Sequence, residues 1–254
     1  MARLAIDDAA WGNRWRQRST AEKALLALGL LVLAVTSREV VTGAAVLVLA
    51  VGCALVGARV PWRTYLRVVL APLSFVVLGA ASVAVTVGAR PDGALLALGP
   101  VAVTDGTLTT AGQVLARALA ATSAMALLAT TTPVSDLLTG MRRLRVPEVV
   151  VDVAEVMYRF VFLLLDTVAT VREAQTARLG YATGPAARRS LGMLGSAVLR
   201  QAWTRAQRLD AGLAGRGGSG PLRTLPALRP VSVPFVAVTC TGLVALTAAS
   251  VVLA

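Results

Sequence analysis

The chain has 254 residues, 56% hydrophobic and only 4% aromatic, with a mean hydropathy of +0.73. That apolar share exceeds the roughly 45–50% of soluble domains and marks an integral membrane protein; the dominance of Ala, Val and Leu favours helices packed through small residues over an aromatic-girdled barrel, so the expected class is all-α. The net charge of +12 rests almost wholly on arginine, with Lys23 the single lysine, no histidine, and two cysteines, Cys53 and Cys240, in apolar runs. This excludes histidine-based metal or proton-relay chemistry and a cysteine metal or disulfide framework, and without a soluble basic face interleaved with aromatics it excludes a nucleic-acid partner.

The first twenty residues, "MARLAIDDAAWGNRWRQRST", are too polar for a secretory signal, and the apolar run that follows ends in "TSREV" without a small-residue cleavage site. The chain is therefore expected to keep its first helix. Spanning a bilayer takes about 20 apolar residues. Five candidate spans meet or approach that length: Ala24–Val35, which is short, Val40–Gly57, Leu66–Gly88, Leu108–Thr131 and Val231–Ala254. "ARVPWRTYLR" joins the second to the third, and "ARPDGALLALGPVAVTDG" joins the third to the fourth; its Pro, Gly and Asp punctuation and alternating valines predict a turn or hairpin. The fourth and fifth spans are separated by about a hundred residues, too many for a simple loop. The expected organisation is 1–132 as N-terminal membrane helices, 133–230 as a long cytoplasmic helical region and 231–254 as a C-terminal transmembrane helix.

Charge sorting fixes the orientation. With a cytoplasmic N-terminus, the inner segments hold five basic residues up to Lys23, then Arg59, Arg63 and Arg67, then fourteen between Thr132 and Pro230. Outside lie only Arg38 and Arg90, and Arg117 falls within the fourth span. A multi-pass protein of the cell membrane follows, N-terminus and long segment inside.

Residues 133–230 contain the turn "TTPVSDLLTGMRRLRVPE" and two long helical patterns divided by "GYATGP". In the first, Glu148, Asp152, Glu155, Arg159, Asp166 and Glu173 form one polar stripe among Val, Met, Phe and Leu, with Glu155 and Arg159 at ion-pair spacing. The second opens at Pro185, runs through Leu191, Leu194, Val198, Leu209 and Leu213, and stops at "GRGGSGP". Arg205, Arg208, Gly212 and Arg216 fall near one face of it. A glycine there sacrifices up to about 1 kcal/mol of helix propensity, so it marks close approach or a terminus. Both patterns end alike: Arg178 stands just before Gly180, and Arg216 stands between Gly215 and Gly217. An arginine in a last turn followed by glycine reads equally as an ordinary helix cap. Two such ends on adjoining helices also present rigid guanidinium forks to a partner's carboxylates.

The ordered set "TTPVSDLLTGMRRLRVPEVVVDVAEVMYRF", then "LRQAWTRAQRLDAGLAGRG", with "AEKALLALGLLVLAV" as first span, resembles the transmembrane (T) component of energy-coupling factor transporters, in the cobalt-type branch. The family's two Ala-Arg-Gly motifs correspond here to Ala177-Arg178-Leu179 and Gly215-Arg216-Gly217, each departing by one residue. The resemblance implies that residues 133–230 are coupling helices, supported along the second helix by Arg205, Arg208 and Gly212. It also implies that Arg178 and Arg216 dock on two cytoplasmic ABC-type ATPase subunits, and that a small membrane subunit captures the substrate. On this reading the chain binds no cofactor or metal and has no catalytic residue, and the residues do not choose among cobalt, nickel and a vitamin such as biotin.

Two other classes fit less well. A membrane enzyme on lipid or prenyl substrates needs clustered aspartates for magnesium, whereas the only adjacent pair, Asp7 and Asp8, precedes every span. A self-sufficient secondary transporter needs internal repeats and midplane charges, of which Arg117 alone qualifies. No phosphate-binding glycine loop with its lysine occurs, so nucleotide hydrolysis falls to partners.

Overall fold

The computed structural model describes residues 5–37, 39–84, 86–87, 94–98, 101–215, 217 and 229–253. The chain divides into two compact units, Ala5–Pro133 with Leu228–Ala254, and Val134–Ala227. The second interrupts the first in sequence. We call them the membrane unit and the inserted unit.

The membrane unit is built from α1 (Ala5–Gly12), α2 (Thr20–Thr36), α3 (Val40–Gly52, continuing as a wider π turn over Cys53–Gly57), α4 (Trp62–Leu70), α5 (Leu73–Ala84), α6 (Asp105–Thr131) and α10 (Val233–Leu253). α6 is its axis and packs against α2, α3 and α5. The helices approach closely because the residues between them are small: Ala27, Ala34, Ala50, Ala54, Ala120 and Ala124 are each at most 2% exposed. A Cβ built on Gly43 of α3 would lie 3.3 Å from Ala116 Cβ of α6. In lipid, where no hydrophobic drive separates helix from solvent, such packing is the main source of association.

Among the described residues, three helices are long and apolar enough to cross a membrane, Val40–Gly57, Asp105–Thr131 and Val233–Ser250. A fourth is formed if α4 and α5, bent by 41° at their junction, count as one span. The sequence suggested one continuous span here. Pro72 at the junction has no N–H to donate, and the helix breaks before it. α2, with 17 residues, stands at the lower limit of membrane-crossing length. The linker between α5 and α6 carries a short antiparallel ribbon, β1 (Thr86–Val87), β2 (Ala94–Leu98) and β3 (Val101–Thr104), in the order β1-β3-β2. It realises the hairpin predicted from the alternating valines and is the one departure from an all-helical architecture among the described residues. Thr104 then caps α6 in a reciprocal capping box with Thr107.

The C-terminal end of α6 closes on buried polar groups. The hydroxyls of Thr130 and Thr131 donate back to the carbonyls of Ala126 and Leu127. The helix-end carbonyls of Thr130 and Thr131 are met instead by Asn13, whose Nδ2 lies 3.4 and 3.2 Å away, and by Lys23, whose Nζ donates to Thr131 O at 3.0 Å. A cation at a helix C-terminus is favoured by the helix dipole. At the opposite end of the helix layer, Arg117 Nη2 donates to the carbonyl of Ser37, just past the end of α2, at 2.9 Å. The arginine inside the fourth span is thus a clasp between α6 and the α2–α3 turn.

The inserted unit contains α7 (Val134–Arg143), α8 (Glu148–Ala177) and α9 (Gly184–Ala214). Arg142 Nη2 reaches Asp152 Oδ1 at 2.7 Å and Glu155 Oε2 at 3.3 Å, fastening α7 to the first turns of α8. Glu155 is thereby engaged across the α7–α8 turn, while Arg159, its neighbour at i,i+4 spacing, is exposed. The local pairing expected from sequence gives way because the tertiary partner is fixed in a better desolvated position. Thr183 caps α9, and Pro185 occupies its first turn, as the sequence predicts. Leu191 of the expected apolar face is instead 57% exposed.

Candidate functional site

The first arginine tip is a Schellman turn. α8 ends at Ala177, Arg178 caps it, and Leu179 turns into the left-handed region at φ 57°. The N–H of Leu179 donates to Thr176 O at 3.0 Å and that of Gly180 to Gln175 O at 2.8 Å, the paired bonds that define this motif. The sequence assigned the cap to glycine. The structure assigns the left-handed position to Leu179, one residue earlier, and gives Gly180 a different duty. A Cβ on Gly180 would stand 2.6 Å from Ser190 Oγ and 2.9 Å from Gln175 O, so only glycine lets the turn close against α9.

Side chains then lock that closure. Ser190, 3% exposed, donates through Oγ to Gly180 O at 2.8 Å. Gln175 Nε2 donates to Ser190 O at 2.9 Å, and Tyr181 OH donates to Gln175 Oε1 at 2.7 Å. Neither Gln175 nor Ser190 carries a pattern that sequence reading could single out, since each works by closing a turn specific to this hairpin. The result is a tip with a fixed backbone on which Ala177, Arg178 and Leu179 are all exposed, Leu179 by 74%. Arg178 thus stands exposed on a backbone that the turn holds fixed.

The second tip follows α9. Gly215 continues the helical backbone and donates to Ala211 O, and Gly217 adopts φ 67°. Arg216 lies outside the described residues. Along the helix leading there, Arg205 is half-buried while Arg208 and Gly212 are exposed. A Cβ on Gly212 would meet nothing within 4 Å, so close approach within this chain occurs at Gly180 and not at Gly212. The 31 residues of α9, at about 1.5 Å rise each, carry the second tip roughly 45 Å along the helix axis from the first.

The turn after α7 ends in the same way. Val146 N–H donates to Met141 O, Arg145 N–H donates to Arg142 O, and Arg145 holds φ 61°. All three helices of the inserted unit therefore finish in left-handed turns, and in two of them the residue is not glycine. Among the described residues no group of three or more histidine, cysteine or acidic side chains is placed to hold a metal ion.

A bundle of apolar helices interrupted in sequence before its last span by a helical unit, with Arg178 exposed at the end of α8, defines a helical membrane protein. The family described as cobalt transport protein, CbiQ, matches residues 12–226. The chain is 41% identical over 236 residues to the cobalt transport protein CbiQ of Rhodobacter capsulatus, covering 93% of each. It is 28% identical over 213 residues to CbiQ of Salmonella typhimurium, covering 82% of this chain and 94% of that one. It also matches, at 27% identity, a protein of Methanocorpusculum labreanum named as a fused cobalt transport protein CbiMQ, over 83% of this chain and 36% of that protein. The chain belongs to the CbiQ cobalt transport protein family, as the transmembrane component of a transporter of the energy-coupling factor type.

Proposed function

We propose that this chain couples two cytoplasmic ABC-type ATPase subunits to a small membrane subunit that captures cobalt, and that it moves with the ATPases without binding nucleotide, metal or cofactor itself. The observation that carries this reading is the exposed Arg178 on a turn locked against α9, with the Gly215–Gly217 end of the hairpin roughly 45 Å further along that helix, a spacing that suits one helix end to each of two ATPases. Arg178 and Arg216 are the docking forks, with Arg205, Arg208 and Gly212 supporting the second. Cobalt is favoured because the relatives at 41% and 28% identity are named for it. The fused relative favours a membrane partner, since there a chain like this one is continuous with a longer protein. The distribution of basic residues supports an inserted unit on the cytoplasmic side of the cell membrane, with the N-terminus inside.

The test is co-purification with the ATPases and cobalt uptake for Arg178→Ala, Arg216→Ala, Arg216→Lys and the double alanine variant. Leaving a buried carboxylate unpaired costs roughly 2–5 kcal/mol of association, and lysine recovers only part because it lacks the bidentate fork. If the arginines merely cap helices, alanine costs at most about 1 kcal/mol of local stability and lysine substitutes fully. A double variant that inserts, co-purifies and transports at near wild-type rate refutes the docking role.

A further inference from the structure

The chain leaves the membrane unit at Pro133 and re-enters it at Leu228. Both departures are pinned, inside the membrane unit, to the same short stretch that opens α2. On the outgoing side, Lys23 Nζ holds Thr131 O at 3.0 Å, and Asn13 Nδ2 holds Thr130 O and Thr131 O. On the returning side, Ser232 N–H donates to Glu22 Oε1. Three residues on, Phe235 meets Trp15 edge to face at 5.4 Å between centroids, and the Arg18 guanidinium sits 4.3 Å over the Phe235 ring. Arg229 Nη1 reaches Arg18 O at 3.5 Å.

The charges in this stretch are buried in a way that bare membrane insertion does not require. Glu22 and Lys23 are each 1% exposed, and Asn13 is 5% exposed. Burying a carboxylate and an ammonium is costly unless fixed partners compensate each. Here the partners are oriented helix ends of opposite sign. Lys23 faces the carbonyl end of α6, while Glu22 faces the N–H end of α10, with Arg18 Nη1 at 3.7 Å from its other oxygen. Adjacent residues of one helix thereby grip two helices that are separated by the whole inserted unit in sequence.

We propose that Glu22 and Lys23 are positioning residues for energy coupling: a two-pronged anchor that delivers load, applied to the inserted unit through either of its chain connections, to α2. This rests on the coupling role proposed above, because load arises only if partners pull on the tips. Removing one prong leaves the tips and the partner contacts untouched but lets the corresponding connection yield. ATP hydrolysis then continues without moving the membrane unit.

The experiment uses the complete transporter in proteoliposomes, with uptake of radioactive cobalt and ATP hydrolysis measured in the same vesicles. Lys23→Met keeps the length of the side chain and removes its charge and donors. The expected result is normal ATPase association with uptake per ATP reduced at least tenfold, and recovery to half or more of wild type in Lys23→Arg, which retains a cationic donor for Thr131 O. The ratio is insensitive to how much complex assembles, so a purely structural role leaves it unmoved. Uptake per ATP within twofold of wild type in Lys23→Met overturns the anchor. Should Lys23→Met fail to assemble, Ser232→Pro decides: it deletes the N–H that Glu22 receives at a partly exposed helix start. A threefold or greater drop in uptake per ATP supports the anchor, and an unchanged ratio overturns it. Wild-type complex that never associates with the ATPases defeats the coupling role itself, whereas intact association with an unchanged Lys23→Met ratio defeats the anchor alone.

Discussion

Replacing Leu179 by glycine should strengthen the tip it belongs to. A non-glycine residue in the left-handed region carries about 1–2 kcal/mol of steric penalty, and Leu179 holds φ 57°. Its side chain is 74% exposed, so truncation forfeits little burial. Glycine gives back about 0.5–1 kcal/mol through its greater freedom in the unfolded chain. The net expectation for Leu179→Gly is a stabilisation of about 0.5–1 kcal/mol, a roughly two- to fivefold smaller local opening constant for the α8–α9 turn. Hydrogen exchange by mass spectrometry on the full chain in nanodiscs reads this directly, because the amides of Leu179 and Gly180 are the two that close the Schellman turn. Exchange in peptides covering 172–183 should slow by that factor. Gly180→Ala should move the same peptides the other way, since its Cβ would stand 2.9 Å from the backbone oxygen of Gln175. Unchanged or faster exchange in Leu179→Gly would refute the claim that backbone strain resides at this position.

Three further outcomes follow from the membrane unit and its orientation. Arg117→Met removes the donor to Ser37 O and should lower stability by about 1–2 kcal/mol, seen as a reduced unfolding temperature in detergent. Gly29→Ala drives a Cβ to 2.4 Å from the Leu243 Cδ1 position, and because that atom is the far end of a flexible side chain the cost should stay near 1–3 kcal/mol, with α10 labels reporting a local shift. In a background lacking Cys53 and Cys240, Ser196→Cys should react with a membrane-impermeant maleimide only after the cytoplasmic face is opened; labelling of intact cells would reverse the assigned topology.

Periodicity and hydropathy located α3, α6 and α10 because a membrane span is the strongest signal a sequence carries, and the alternating valines of the ribbon are nearly as plain. What they missed depends on tertiary partners. Pro72 is visible in sequence, but whether proline kinks or breaks a span depends on what receives the freed carbonyls. Glu155 has a neighbour at helical spacing, yet Arg142 wins it because the α7–α8 turn brings that arginine closer. The arginine tips were legible as a repeated Arg-Gly pattern, while the left-handed position was misplaced because propensity assigns it to glycine and a leucine there is rare. Glu22 and Lys23 read as ordinary polar residues flanking the first span. Their burial depends on the end of α6 and the start of α10, whose contacting residues lie 108 and 210 positions further along the chain.

The shallow seating of α10 bears on how the protein is made. Only 6% of its apolar window is buried within the fold, against 44% for α6. The close-packed helices α2, α3, α5 and α6 are all synthesised before residue 134, so the ribosome has delivered a self-sufficient membrane core before the inserted unit begins to emerge. α10 arrives last and joins that core along α2, through Ser232 and Phe235 at its start and Leu243 and Leu246 further on. A nascent chain halted at residue 133 should therefore already resist extraction and proteolysis, and completion of the last helix should then supply the partners of Glu22 and Trp15 and cover the face of α2 that Leu243 meets.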